Sequence, residues 1–212
     1  MRSPLAARER DRLIEAMLPD VPFDGWSSHA LRIAARNIGI AEAEALALFP
    51  RGAIDCVAEF SRWADRHMLE RLEGAVLDEL SLSARIALAL RLRFEVLMPW
   101  REAARRGLSV LAQPQNAPLG LRLMYETVDG IWYAVGDSST DFSFYTKRAS
   151  LAGVLAATML YWLDDRSPGF ADTQAFVERR LADLHRMTNL RRQVEAAAER
   201  LPNPLRIFRP TR

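Results

Sequence analysis

Ala34-Ala35-Arg36-Asn37-Ile38-Gly39, followed one short segment later by Leu48-Phe49-Pro50-Arg51-Gly52-Ala53-Ile54, decides how the chain is read. Asn37-Ile38-Gly39 stops a helix, because Gly39 accepts the left-handed conformation in which helices end. Pro50-Arg51-Gly52 breaks the chain again before a longer helix begins. Working backwards, residues 30–37 form the helix closed by that stop, with Ser27 or Ser28 as its cap. Residues 5–18 form another, with Leu5, Leu13, Ile14, Met17 and Leu18 at mixed helical spacings, ending at Pro19. A turn, Pro22-Phe23-Asp24-Gly25-Trp26, separates the two. Forwards, residues 41–48 make a third short helix. Short helices with a glycine between the second and third, then a turn into a longer one, have the order of a helix-turn-helix head.

The remainder also reads as helix. Residues 53–72 place Ile54, Val57, Phe60, Ala64 and Met68 on one face. From Ser81 to Pro99 the apolar residues partly alternate, but the length and the Ala, Leu and Arg content favour helix over strand. A helix at 101–106, a short piece around 108–111 and the loop Gln113-Pro114-Gln115-Asn116-Ala117-Pro118 follow. Residues 119–135 carry one stripe from Leu121 to Val135. Residues 142–165 are apolar nearly all round, which predicts a helix buried on more than one side. After Arg166-Ser167-Pro168-Gly169, residues 172–201 form a long amphipathic helix, and the Pro-broken tail cannot be regular helix. The chain divides into a head (1–52), a helical body (53–201) and a basic, apolar tail (202–212), an all-α protein.

Half the residues are apolar, and 29 Lys+Arg stand against 27 Asp+Glu, so the net charge of +2 by itself names no partner. With 10 Gly and 11 Pro the chain is neither linker-rich nor of low complexity. One cysteine, Cys56, excludes an intrachain disulfide. The first twelve residues lack the apolar core of a signal peptide. The longest apolar run, residues 149–163, is shorter than the ~20 residues a membrane-spanning helix needs. The third helix, Ile40-Ala41-Glu42-Ala43-Glu44-Ala45-Leu46-Ala47-Leu48, holds two acids and no base. A recognition helix must approach phosphates and base edges, so this composition argues against nucleic-acid binding.

The head resembles that of TetR-type regulators, in which an all-helical body binds ligand and dimerises. Further along stands Trp132-Tyr133-Ala134-Val135-Gly136-Asp137-Ser138-Ser139-Thr140-Asp141-Phe142-Ser143-Phe144-Tyr145-Thr146-Lys147-Arg148. Leu151-Ala152 and Ser167-Pro168-Gly169-Phe170 come after it. This pattern is similar to the signature of an accessory, lipid-binding family of ubiquinone biosynthesis. That family is the ninth coenzyme Q protein family, with bacterial relatives known as the rpsU-divergently transcribed family. The likeness covers roughly residues 5–184.

The resemblance implies a TetR-like bundle that does not bind DNA, and a homodimer with a cavity for a lipid or isoprenoid quinone precursor. It also implies assistance to the di-iron demethoxyubiquinone hydroxylase from a cytoplasmic protein peripheral to the inner membrane. Family members meet the hydroxylase through an aromatic patch, and Ile131, Trp132, Asp141, Phe144, Tyr145 and Arg148 stand at the matching positions. Phe144 replaces the tryptophan typical of mitochondrial relatives, keeping the ring and losing an N–H. Leu88, Leu92, Met124, Val128, Leu155, Met159 and Trp162 are the expected cavity walls; the same residues also read as ordinary core. Small residues Ala152, Gly153, Ala156 and Ala157 let another helix approach, including one from a second subunit. The tail alternates Leu205, Ile207 and Phe208 with arginines, which suits an anionic bilayer surface or an unstructured end. The alternative reading is a ligand-responsive transcriptional regulator.

Nothing in the chain assembles an enzyme site, and no resident cofactor or metal is expected. His29, His67 and His185 stand outside any metal-binding spacing. G-x-S-x-G, P-loop and G-x-G-x-x-G patterns are absent from the sequence. Cys56 lies beside an apolar stripe and reads as packed rather than reactive.

Overall fold

The computed structural model describes the backbone of residues 4–136 and 142–200, with side chains over 6–136 and 145–186. Among the described residues every regular element is helical. In chain order these are α1 (Pro4–Met17), α2 (Val21–Asp24), α3 (Ser28–Asn37), α4 (Glu42–Leu48), α5 (Ala53–Glu73), α6 (Leu82–Leu97), α7 (Arg101–Leu111), α8 (Ala117–Ala134), α9 (Phe142–Asp164) and α10 (Ala171–Arg200).

The local signals act as their chemistry requires. Ser27 Oγ accepts the amide of Ala30 at 3.1 Å and starts α3, and Ser81 Oγ does the same for Ala84 at 3.3 Å ahead of α6. Gly39 leaves α3 at φ +71°, in the left-handed region. Leu13, Ile14 and Met17 of α1, with Leu18 directly after it, are fully buried with Ala30, Leu31, Ala34 and Ala35 of α3, so the head closes on its own apolar core. α5 then packs on α6 and α8, α9 on α8 and α10, and α10 on α6.

Three expectations are corrected. The turn at Pro22 contains one helical turn, α2, because Pro22 is preset for the first turn of a helix. The two pieces at 101–106 and 108–111 are one helix, α7, running through Gly107. A Cβ on Gly107 would stand 3.4 Å from both the Trp26 indole nitrogen and Val57 Cγ1, so glycine serves close approach here, not a break. Trp26 Nε1 donates to Ala103 O at 2.9 Å across the same contact and ties the head to the body. Finally, α9 is buried on one side only within the chain. Leu151, Val154, Leu155, Trp162 and Leu163 face inwards, while Gly153, Ala156 and Leu160 are exposed.

Candidate functional site

An apolar groove of about 610 Å³ runs between α6 and α10. Leu88 and Phe94 of α6 form one wall, Val177 and Leu181 of α10 the other, and Phe170 closes one end. Arg91, Glu95, Gln174 and Glu178 bring polar groups to the same space. The stripe of α10 supplies its wall because a helix with apolar residues every three or four positions needs an apolar partner, and α6 provides it.

The position of α10 is set by a compact hydrogen-bonded hinge. The chain turns at Gly169 (φ +61°) and Phe170 (φ +57°), the latter being the one non-glycine residue with positive φ among those described. Asp165, 6% exposed, organises this turn. Its Oδ1 accepts the amide of Ser167 at 2.7 Å, and its Oδ2 accepts the amide of Thr173 at 2.9 Å and the Thr173 hydroxyl at 2.5 Å. Burial pushes this carboxyl up, but the hydrogen bonds from Ser167 and Thr173 outweigh it and hold the pKa at about 2. Arg101 lies 4.4 Å over the Phe170 ring and 5.3 Å over Trp162, and its Nη1 donates to Asp165 O at 2.6 Å.

Of the expected cavity walls, Leu88 lines the groove. Val128, Leu155 and Trp162 are buried in the main core, and Leu92, Met124 and Met159 are half-buried against it. Trp162 stands behind the groove, with its ring 5.4 Å from Phe94 and 5.9 Å from Phe170. Met159 instead borders a separate space of about 80 Å³ between α5, α6 and α7. Phe94, Val177 and Leu181 lie in apolar helical segments of the sequence, but helical spacing shows a face and not what faces it.

At the far end of α8 the aromatic residues divide between inside and outside. Ile131 and Trp132 are buried, as is Arg148, whose Nε donates to Asp129 Oδ1 at 2.7 Å. Lys147 Nζ lies 5.5 Å over the Trp132 ring. The rings presented to solvent are Tyr133, 85% exposed, and Tyr145, 70% exposed. Ile131, Trp132 and Arg148 therefore support this surface from behind. Asp141, the side chain of Phe144 and the tail 202–212 lie outside the described residues. Cys56 is buried, and burial pushes its thiol up to about 12, which keeps it protonated and unreactive.

A helical head with the helix-turn-helix order, joined to a helical body carrying an apolar groove, is the TetR-like fold. A TetR transcriptional regulator from Nitrosomonas europaea superposes on it with a TM-score of 0.66 at 19% identity, over 82% of this chain and 97% of that one. Within that class, the chain belongs to the COQ9 family. The family's profile, described as COQ9, matches residues 117–188. Along 197 residues, 90% of the chain, it is 33% identical to the mitochondrial ubiquinone biosynthesis protein COQ9 of Rattus norvegicus, and 33% identical to COQ9-B of Xenopus laevis. The human COQ9 protein is 32% identical over the same length. The chain spans 63% of the rat protein, 62% of the human and 67% of the Xenopus one. Among the described residues no helix is long and apolar enough to cross a membrane.

Proposed function

We propose that this chain is a lipid-binding accessory protein of ubiquinone biosynthesis. It takes an isoprenoid quinone precursor from a membrane surface into the groove between α6 and α10 and presents it to the demethoxyubiquinone hydroxylase. The apolar groove carries this reading. Its 610 Å³ lies within the range of about 300–1,000 Å³ in which proteins enclose small ligands. Walls such as Leu88, Val177 and Leu181 suffice for an isoprenoid, since burial of hydrocarbon yields about 25 cal/mol per Å² without any polar anchor.

The reading also includes a homodimer. α8 and α9 pack side by side and leave Leu121, Tyr125 and Leu160 exposed beside the small residues Gly153 and Ala156. A second copy covers such a face, because small residues let helices come close. The exposed Tyr133 and Tyr145 offer amphipathic anchors for the hydroxylase at the other end of the same helices.

Native mass spectrometry with solvent extraction of the purified chain tests the carrier role. An isoprenoid or phospholipid recovered with the protein is the expected result, and its loss in Leu88→Gln with unchanged helical circular dichroism places it in the groove. Recovery of no lipid from the unaltered chain defeats the carrier reading.

A further inference from the structure

The seam between head and body is lined by arginine. Arg10 comes from α1, Arg51 from the turn ahead of α5, Arg62 and Arg66 from α5, and Arg122 from α8. Two concavities of about 180 and 360 Å³ adjoin here and share Arg10, Glu59 and Arg62. Their linings hold these five guanidiniums against the carboxylates of Asp55, Glu59 and Glu126. Asp11, which is not among the lining residues, also accepts Arg66 Nη2, so five guanidiniums stand against four carboxylates and a local excess of one positive charge remains. Neither concavity shares a lining residue with the α6–α10 groove.

The carboxylates hold the guanidiniums in place and leave donors over. Glu126 accepts the Nε of Arg62 at 2.9 Å with one oxygen and the Nε of Arg122 at 2.9 Å with the other. Glu59, almost fully buried, accepts Arg66 Nη2 at 2.9 Å, and Asp55 accepts Arg51 Nε at 2.8 Å. Among the described residues Arg10 is in no close ion pair: its Nε and Nη2 donate to Leu48 O at 3.2 and 3.0 Å, and its charge helps Arg51 to hold the Asp55 carboxyl down. Each guanidinium has five N–H donors in a planar fork, and the bonds named use only part of them.

We propose that this cleft binds a phosphate-bearing anion, held by Arg10, Arg62 and Arg122. Forks from three helices converging on one concavity suit an anion with three or more oxygens and about two charges. A carboxylate, with two oxygens and one charge, uses less of such a site than a phosphate does. Partial burial favours binding, since Arg62 is 22% exposed and charges there interact through less water than on an open surface. The shared chemistry is the phosphate group, whether of a free phosphate compound or of a lipid headgroup. The inference does not depend on the lipid reading of the α6–α10 groove.

Calorimetric titration of the full chain with sodium pyrophosphate at low salt tests it, beside co-sedimentation with phosphatidylcholine vesicles with and without phosphatidylglycerol. Pyrophosphate binding should weaken by about tenfold or more in Arg10→Gln/Arg122→Gln, and fall with added salt, as charge-assisted contacts require. Arg122 alone, with a side chain 73% exposed, tolerates Gln without disturbing the fold and should show part of the loss. Arg71→Gln, exposed at the far end of α5 and outside every cavity named above, should change nothing. If pyrophosphate does not bind but sedimentation with phosphatidylglycerol vesicles is lost in the double variant and kept in Arg71→Gln, the source is a lipid headgroup and the assignment holds. Absence of both interactions, their survival in the double variant, or equal loss in Arg71→Gln overturns it.

Discussion

Arg93 places a guanidinium inside the body with its side chain 5% exposed. Its Nε donates to Asp65 Oδ1 at 2.8 Å, and Thr127 Oγ1 donates to Asp65 Oδ2 at 2.8 Å, so one carboxylate joins α5, α6 and α8. A buried pair of this kind adds little net stability compared with apolar packing, but removing one partner strands the other charge. Asp65→Ala should therefore cost about 3–5 kcal/mol in urea unfolding. Thr127→Val, which removes a neutral donor, should cost about 1 kcal/mol. Asp165 behaves differently because its partners are neutral donors. Its carboxyl is at about 2 when folded and near 3.8 when free, so the folded state gains stability above about pH 4 and loses it as pH falls towards 2. Asp165→Asn should lower stability by about 2 kcal/mol at neutral pH and flatten the pH dependence across that window. Unfolding curves at stepped pH values measure both effects.

Among the elements, α4 and the α8–α9 end show what helical composition decides. Glu42 of α4 accepts Arg36 Nη1 of α3 at 2.7 Å, so an acid that counts against nucleic-acid binding also pairs with an arginine of the head. The helix order of the head was legible because Gly39, Pro50 and Gly52 act locally. α7 was misread as two pieces because Gly107 ordinarily weakens a helix, and only its contact with Trp26 and Val57 explains why it is kept. At the aromatic end, Trp132 and Tyr133 are neighbours in sequence, yet one is 6% and the other 85% exposed. A helix turns each residue by about a quarter of a circle, so adjacent rings take opposite fates. Under the proposed docking, Tyr133→Ala with Tyr145→Ala should abolish pull-down of the hydroxylase while the circular dichroism stays helical. Retained pull-down would refute that use of the surface.

The whole molecule poses the question of which apolar faces are satisfied within the chain. α9 reads from its sequence as buried on more than one side, yet Leu160 is 61% exposed, and on α8 Leu121 is 63% exposed. The proposed homodimer accounts for that mismatch. Light scattering after gel filtration should give twice 24.0 kDa for the unaltered chain and a monomer for Leu160→Glu, because a carboxylate in an apolar helix interface is left unpaired. A monomeric unaltered chain, or a Leu160→Glu variant that stays dimeric, sinks this assignment of the face. The seam arginines show the same limit on reading from sequence. Arg10, Arg62 and Arg122 are scattered in a chain with 29 basic residues, and only the packing of α1, α5 and α8 gathers them. By itself the sequence determined the helical class, the order of the head, the acidic character of α4 and the stretch, residues 117–188, that matches the COQ9 profile. These follow from local propensity, spacing and composition. Tertiary structure decided that Val177 meets Leu88 across a groove, that Val128 and Trp162 fill the core, and that Tyr133 meets water. Helical periodicity defines a face, whereas the partner of that face depends on how distant helices pack.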